Sequence, residues 1–232
     1  MSVSNSFDKT VFEIEALILK LFQNEPFHNL YLLYNKTPLT NEHGGTCSDK
    51  TLSFISAARG LGVNAVLHNG YINGKDIHRL ARVTISDKVF FADVGNGWPV
   101  LKLYPADQEI NFICFGMSYR TVITEHWISV YHTRNGKEFL QLEIDSRPCR
   151  EEDIQNRIAQ RFNGKVIYPF SNSLRFSLIV KDKFLFIRGD RLEIYDFNGC
   201  TVIEGITKES LSKTLKELFY YQSKDLFEYL TS

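Results

Sequence analysis

The hydrophobic pattern of the chain changes abruptly at Val63, and this change limits the folds open to it. Before that point, apolar residues recur at helical spacing over 8–23, and a second helical segment follows Gly45 and runs to Arg59. After it, short runs rich in Val, Ile, Phe and Tyr alternate with turn residues, a pattern typical of antiparallel strands. Helical spacing returns in Thr207–Leu230, so we expect an α+β fold with its strands between helices.

The β-rich part predicts ten strands and one short helix, Glu151–Phe162. The strands are Val63–His68, His78–Ile85, Val89–Val94, Ile110–Gly116, Arg120–Thr133, Lys137–Asp145, Leu174–Val180, Phe184–Arg188, Arg191–Phe197 and Cys200–Glu204. The clearest hairpin turn is Asn135-Gly136, because this pair tolerates the positive φ angles of a tight turn. Gly189-Asp190 and Asn198-Gly199 are similar.

The charge balance excludes several classes of function. The chain has 27 Lys and Arg against 27 Asp and Glu, with no basic run, so it lacks the cationic excess that nucleic-acid binding requires. The first ten residues are polar, and Glu13, Glu15 and Lys20 interrupt the apolar stretch that follows. That stretch is therefore neither a signal peptide nor a membrane span. We expect a cytoplasmic protein with no nucleic-acid or membrane partner.

The cysteines and histidines do not predict a metal site. Cys47, Cys114, Cys149 and Cys200 form no CxxC pair, and none of the six histidines belongs to an HExxH motif. We interpret the last three cysteines as packing residues. His126 and His132 lie on a predicted strand, and we interpret them as exposed residues without a role.

Cys47 has the sequence context of a nucleophile. It follows His43-Gly44-Gly45-Thr46 and lies in the first turn of the predicted second helix. A helix N-terminus stabilises a thiolate through its unpaired N–H groups, and the same donors can hold a developing oxyanion. The two glycines permit a sharp approach of the chain to this helix.

His78 and Asp93 supply the remaining groups of a nucleophilic site. A two-residue turn at Ser86-Asp87 pairs Ile85 with Lys88, and this register brings His78 and Asp93 to one face as diagonal neighbours. An Asp that accepts a hydrogen bond from one imidazole nitrogen leaves the other nitrogen to act as a base toward a thiol. The sequence therefore predicts a Cys-His-Asp catalytic site.

These residues resemble the arylamine N-acetyltransferases, within the wider group of transglutaminase-like and papain-like cysteine enzymes. The resemblance is clear over residues 10–105 and architectural beyond them. It rests on Pro26-Phe27-His28-Asn29-Leu30, His43-Gly44-Gly45-Thr46-Cys47, His78 and Ala92-Asp93-Val94-Gly95-Asn96-Gly97. The resemblance implies an N-terminal helical bundle, a central antiparallel β-barrel and a C-terminal α/β lid. We assign these parts to residues 1–62, 63–148 and 149–232.

The resemblance also implies ping-pong acyl transfer. Cys47 would take an acyl group from acetyl-CoA or another acyl thioester, and a small-molecule amine, usually an arylamine or hydrazine, would remove it. His78 would activate Cys47, and Asp93 would orient His78. Phe27, Gly95, Asn96 and Gly97 would bind substrate, with no permanently bound cofactor and no metal.

The sequence departs from the family pattern at several positions. His28 and His43 stand where the family commonly has Glu and Arg, so this contact must be rebuilt, for example with one neutral imidazole. Ser48 replaces a bulky residue and Asn96 replaces Phe, which predicts a more polar pocket. Two other functions stay open: an amide synthase that uses a carrier-protein thioester in natural-product biosynthesis, and a non-catalytic binding protein with the same fold.

Overall fold

Six helices occur in the part of the chain that the computed structural model describes, residues 2–38, 43–159 and 170–232. They are α1 (Ser2–Asn24), α2 (Leu30–Leu33), α3 (Cys47–Gly60), α4 (Glu151–Ala159), α5 (Lys208–Glu217) and α6 (Lys224–Thr231). No helix in these ranges is long and apolar enough to cross a membrane.

Thirteen strands lie in the same described ranges. They are β1 (Phe27–His28), β2 (Asn64–Ile72), β3 (Lys75–Ile85), β4 (Lys88–Ala92), β5 (Tyr104–Pro105), β6 (Asn111–Cys114), β7 (Met117–Thr124), β8 (Trp127–Arg134), β9 (Lys137–Asp145), β10 (Arg175–Val180), β11 (Lys183–Arg188), β12 (Arg191–Asp196) and β13 (Gly199–Glu204).

The strands form two antiparallel sheets. The larger has eight strands in the order β5-β4-β3-β2-β9-β8-β7-β6 and curls into a half-barrel, and the smaller has five in the order β1-β10-β11-β12-β13. The predicted α+β class is confirmed, and the central antiparallel β-barrel expected from the resemblance is a curled half-barrel sheet.

Helix α3 begins at Cys47 and packs between α1 and the larger sheet. The inner face of α1 presents Ile14 and Ile18, both fully buried, and α3 buries Phe54 and Ala58 against the same core. An apolar stripe accounts for this packing on α1, whereas the buried face of α3 also carries polar side chains. The packing fixes the start of α3 relative to β2 and β3.

Strand β1 joins the N-terminal region to the smaller sheet. Phe27 pairs with Ser177, and His28 pairs with Phe176. The Asn29 side chain strengthens this connection, because its amide donates to the carbonyl oxygens of Phe170 and Ser173 at 2.6 and 2.8 Å. The sequence analysis did not predict this two-residue strand.

Two predicted elements are wrong. The predicted strand Arg120–Thr133 is two strands, β7 and β8, because the chain turns at Glu125, where φ is +55°. The predicted helix over Thr207–Leu230 is two helices, α5 and α6, and Tyr220 between them has φ of +51°. Neither turn contains Gly or Pro, so the sequence carried no ordinary turn signal at these points.

Two interpretations of single residues are also wrong. His132 is buried, not exposed, and its ring stacks on Tyr119 with centroids 4.5 Å apart. Cys149 is exposed rather than a packing residue, and its sulfur lies 3.0 Å from Nδ1 of His68. Cys114 is buried, as expected.

Candidate active site

The loop before α3 is shaped by its two glycines. Gly44 has φ of +69° and Gly45 has φ of +146°, conformations that residues with a side chain rarely adopt. A Cβ at Gly44 would collide with the carbonyl of Pro26, and one at Gly45 would lie 2.5 Å from the Asp49 carboxylate. The Gly-Gly pair therefore lets the chain pass close to both groups before it enters α3.

Backbone hydrogen bonds hold this loop against β1. The His28 N–H donates to the Gly45 carbonyl at 2.9 Å, and the Gly45 N–H donates to the Pro26 carbonyl at 3.1 Å. Asp49 closes the helix start, because its Oδ2 accepts the N–H of Thr46 at 2.9 Å and the Thr46 hydroxyl at 3.0 Å. These contacts place Cys47 as the first residue of α3.

The predicted hairpin register is confirmed. Ile85 pairs with Lys88, and the ladder continues to Ala81 opposite Ala92. His78 lies on β3 and Asp93 follows directly after β4. The Nε2 of His78 donates to Oδ1 of Asp93 at 2.8 Å, and both side chains are buried. This bond places the proton on Nε2 and leaves Nδ1 to face other partners.

The structure brings Cys47 to this histidine. Burial alone would raise the pKa of the Cys47 thiol, but a hydrogen bond with His78 and the positive charges of His78 and Arg79 hold it below its ordinary value. The backbone N–H of Arg79 adds a further hydrogen bond to the sulfur. A buried thiol with a lowered pKa is unusual, since burial in apolar surroundings normally keeps a cysteine protonated.

The pKa of His78 moves in the opposite direction. Burial disfavours the imidazolium, but the charge and hydrogen bond of Asp93, together with contact to Cys47, raise the pKa of His78 well above its ordinary value. A lowered thiol pKa beside a raised imidazole pKa is the signature of a thiolate–imidazolium pair. The arrangement can therefore supply a nucleophilic sulfur and a proton donor at neutral pH.

Asn96 completes the hydrogen bonding of the carboxylate. Its amide Nδ2 donates to Oδ2 of Asp93 at 2.7 Å, while its own Oδ1 accepts the N–H of Trp98 at 3.4 Å. Both oxygens of Asp93 are thus occupied, one by His78 and one by Asn96. The departure from Phe at this position introduces a polar contact behind the His78–Asp93 pair.

Cys47 and His78 open onto a cavity of about 170 Å³. Three of the four residues predicted to bind substrate, Phe27, Gly95 and Asn96, line it with them. Gly97 is not among the lining residues, and its carbonyl accepts the hydroxyl of Ser177 at 2.8 Å. The other lining residues are Ile72, Ile77, Trp98, Phe170, Arg175, Phe186 and Arg188.

Gly95 lies directly against the nucleophile. A Cβ at this position would be 2.8 Å from the carbonyl oxygen of Cys47 and 2.9 Å from its Cβ, so only glycine allows the two backbones to approach this closely. The segment after Asp93 is thereby held over the first turn of α3.

Sequence reasoning missed the contribution of the smaller sheet to this cavity. Phe186 and Arg188 lie on β11, and Arg175 lies opposite Arg188 on β10. No motif in the N-terminal half points to these residues, because sequence order does not show which strands face α3. Trp98 was also missed, although it directly follows the Gly95-Asn96-Gly97 segment.

The contact at the two histidine departures is rebuilt with a neutral imidazole, as the sequence analysis suggested. Nε2 of His28 donates to the backbone carbonyl of His43 at 2.8 Å, and Nδ1 accepts the N–H of Leu30 at 3.2 Å. Complete burial lowers the pKa of His28 to about 4. The ring stacks on Phe176 with centroids 5.9 Å apart.

Within residues 2–38, 43–159 and 170–232, no group of three or more His, Cys, Asp or Glu side chains is arranged to hold a metal ion.

Comparisons with known proteins agree on one family. A family model described as N-acetyltransferase matches residues 33–224, and no curated protein matches the chain. The arylamine N-acetyltransferase of Salmonella typhimurium has a similar fold, with a TM-score of 0.76 at 18% identity, covering 95% of this chain and 91% of that one.

Two further solved structures have similar folds. The Nocardia farcinica arylamine N-acetyltransferase gives a TM-score of 0.78 at 19% identity, over 96% of this chain and 87% of that one. The Mycobacterium marinum enzyme, solved in complex with CoA, gives 0.78 at 14% identity, over 93% of this chain and 88% of that one.

Proposed function

The chain belongs to the arylamine N-acetyltransferase family, and from this premise we propose that it transfers an acetyl or other acyl group from acyl-CoA to an amine through a thioester on Cys47. The observation that carries the proposal is the position of Cys47 at the start of α3 in contact with His78, whose Nε2 donates to Oδ1 of Asp93 at 2.8 Å. The lowered pKa of the Cys47 thiol agrees with this geometry. The CoA bound to the Mycobacterium marinum enzyme supports this donor.

The first half-reaction forms the acyl-enzyme. The Cys47 thiolate attacks the carbonyl carbon of the acyl-CoA, a new C–S bond forms, and the bond from that carbon to the CoA sulfur breaks. The His78 imidazolium gives its proton to the departing CoA thiolate, which leaves as the free thiol. Asp93 keeps His78 in the required orientation throughout.

The second half-reaction regenerates the enzyme. The acceptor amine attacks the thioester carbonyl, His78 takes a proton from the amine nitrogen, and the Cys47 thiolate leaves as the amide is released. The aromatic walls of the cavity, Phe27, Trp98 and Phe186, would hold the acceptor beside Cys47. Backbone N–H groups at the start of α3 and around Gly95 would hold the oxyanion in both steps.

Asn96 would act as a positioning residue. Its amide fixes the second oxygen of Asp93 at 2.7 Å, which keeps the first oxygen directed at His78. Hydrogen bonds to a supporting carboxylate commonly affect activity through the group that the carboxylate orients. The polar replacement of Phe would thus serve the catalytic histidine as well as the pocket.

Intact-protein mass spectrometry tests the proposal directly. Wild-type protein, Cys47→Ala and Cys149→Ala are incubated briefly with acetyl-CoA, longer acyl-CoAs or an acyl carrier-protein thioester. Cys149 is the matched control, because it is an exposed cysteine with a histidine neighbour, His68. We expect an acyl adduct on wild type and Cys149→Ala and none on Cys47→Ala.

The other outcomes separate the alternatives. An adduct formed only from the carrier-protein thioester would favour an amide synthase over a CoA-dependent transferase. No adduct from any thioester would contradict acyl transfer through Cys47 and favour a binding protein.

A further inference from the structure

Two arginines from the smaller sheet face the same cavity as the nucleophile. Arg175 on β10 and Arg188 on β11 are directly paired across the two strands and both line the cavity with Cys47 and His78. A third, Arg134 at the end of β8, places its guanidinium carbon 4.2 Å from the ring centroid of Trp98, which lines the same cavity.

Among the described residues, one carboxylate forms an ion pair with this cluster of three arginines, that of Glu193. Nη1 of Arg188 lies 3.1 Å from Oε1 of Glu193, and the other oxygen of Glu193 accepts the hydroxyl of Tyr195 at 2.7 Å. In the part of the chain that the structure describes, neither Arg175 nor Arg134 has a carboxylate within ion-pair distance. The cluster therefore carries an excess of positive charge beside the reacting sulfur.

Two of these guanidinium groups, those of Arg175 and Arg134, are partly buried. Burial, and then the charge of Arg188, lower the pKa of both Arg175 and Arg134 below the ordinary value. The Arg175 guanidinium has five N–H donors, and its one hydrogen bond to the described residues goes from Nη1 to the carbonyl of Leu174 at 3.1 Å. Guanidinium groups that lie close together with too few carboxylates repel one another, and this repulsion destabilises the folded protein. A bound anion would reduce the repulsion.

We infer that the cavity beside Cys47 selects substrates that carry a carboxylate, held by Arg175 and Arg188 with Arg134 behind them. Guanidinium groups bind carboxylates through paired N–H donors, and the two arginines that line this cavity supply both the charge and the donors for such a group. The aromatic walls lie alongside these arginines, which suits a molecule with an apolar body and an anionic end. This inference rests on the proposed function, and the carboxylate belongs either to the acceptor amine or to the acyl group.

Matched substrate pairs distinguish these two sources. On the acceptor side, 4-aminobenzoate is compared with neutral 4-aminobenzamide, with acetyl-CoA as the donor. On the acyl side, malonyl-CoA is compared with acetyl-CoA, with the neutral amine as the acceptor. We expect wild-type protein to prefer the carboxylated member of one pair by about tenfold or more in kcat/KM, the range of a charge-assisted hydrogen bond.

Arg175→Gln is the primary variant. Arg175 has no carboxylate partner among the described residues, so its replacement leaves no carboxylate without an ion-pair partner. It should reduce the preference at least several-fold, mainly through KM, and Arg175→Lys should restore part of it. Arg191→Gln is the control for net charge, since Arg191 lies on β12 and pairs at 3.0 Å with Glu204. This control should keep the wild-type preference.

Binding measurements keep the inference testable without turnover. Titration calorimetry with 4-aminobenzoate, malonate and 4-aminobenzamide should show tighter binding of one anion in wild type than in Arg175→Gln. Equal kcat/KM within both substrate pairs, or a preference unchanged in Arg175→Gln, would overturn the inference while Cys47 acylation still stands. If no thioester acylates Cys47, the proposed function fails, and the calorimetric comparison alone decides whether the anion site exists.

Discussion

Replacing Gly95 by alanine should disturb the site through one contact. The added Cβ would lie 2.8 Å from the Cys47 carbonyl oxygen and 2.9 Å from the Cys47 Cβ, and closer still to the Cys47 Cα. Ordinary contact begins at 3.4 Å, so the segment after Asp93 and the start of α3 must separate by roughly 1 Å. The two nearest atoms, the Cα and the carbonyl oxygen of Cys47, belong to the backbone, and the Cys47 Cβ is bonded directly to it, so no flexible side chain can absorb the shift.

The expected magnitudes follow from that displacement. Forcing extra volume into a packed site typically costs about 1–3 kcal/mol of unfolding free energy, and for a chain of this size that lowers the Tm by about 2–12 °C. A misplacement of about 1 Å at a reacting group costs about 10²-fold in rate. We therefore expect Gly95→Ala to fold with a reduced Tm and to lose far more activity than stability.

The matched control is Gly60→Ala. Gly60 is the last residue of α3, and a Cβ there meets nothing within 4 Å. This variant should keep the wild-type rate and gain up to about 1 kcal/mol from helix propensity. The assays are thermal unfolding, alkylation of Cys47 by iodoacetamide and formation of the acyl adduct. A Gly95→Ala protein with wild-type Tm and wild-type alkylation would refute the close approach of Gly95 to Cys47.

Three further predictions concern pH and hydrogen bonding. Because the pKa of Cys47 is lowered, its alkylation rate should reach half of its maximum at a pH below the pKa of an ordinary thiol. In His78→Ala this midpoint should move to higher pH, since burial then dominates the pKa of the thiol. An unchanged midpoint would contradict the thiolate–imidazolium pair. Asn96→Ala should lower kcat by about tenfold and shift the pH profile of Cys47 alkylation, whereas a merely structural role would change the Tm alone. His28 has its folded pKa lowered to about 4, so the unfolded chain binds its proton first as the pH falls, and stability drops between pH 6.5 and 4. Over that range the unfolding free energy of wild type should fall by up to about 3 kcal/mol more than that of His28→Gln, as measured by urea titration, and equal losses would show that His28 is not buried as a neutral ring.

Local patterns made the centre of the site predictable. The register of the β3–β4 hairpin follows from a two-residue turn, and that register alone places His78 and Asp93 on one face. The position of Cys47 at the start of α3 follows from the glycines and the helical pattern after them. Each of these inferences depends on residues within about one hairpin or one helix, where spacing determines geometry.

The remaining features depend on contacts between distant segments. The pairing of β1 with β10 joins residues almost 150 positions apart, and no property of Phe27 or His28 reveals that partner. The same pairing brings Arg175 and Arg188 to the cavity. The burial of His132 has a similar cause, because the ring is covered by Trp98, with centroids 5.0 Å apart, from another part of the chain. Periodicity identifies which face of a strand is apolar, but it does not identify what covers that face.

The departures from the family pattern have a common physical consequence. At the loop before Cys47, a neutral His28 bonded to the His43 backbone stands where the family commonly has an opposite-charge pair, and the pKa of His28, about 4, keeps this support uncharged at neutral pH. Behind His78, the amide of Asn96 adds a dipole to Asp93 without adding charge. At neutral pH, neither of these two departures therefore adds a charge beside Cys47 and His78. Among the described residues, the charges near the sulfur include His78, Asp93, Arg79 and the arginines of the smaller sheet. Because arginine stays charged between pH 6 and pH 9, changes in the reactivity of Cys47 over this range should report on the Cys47–His78 pair.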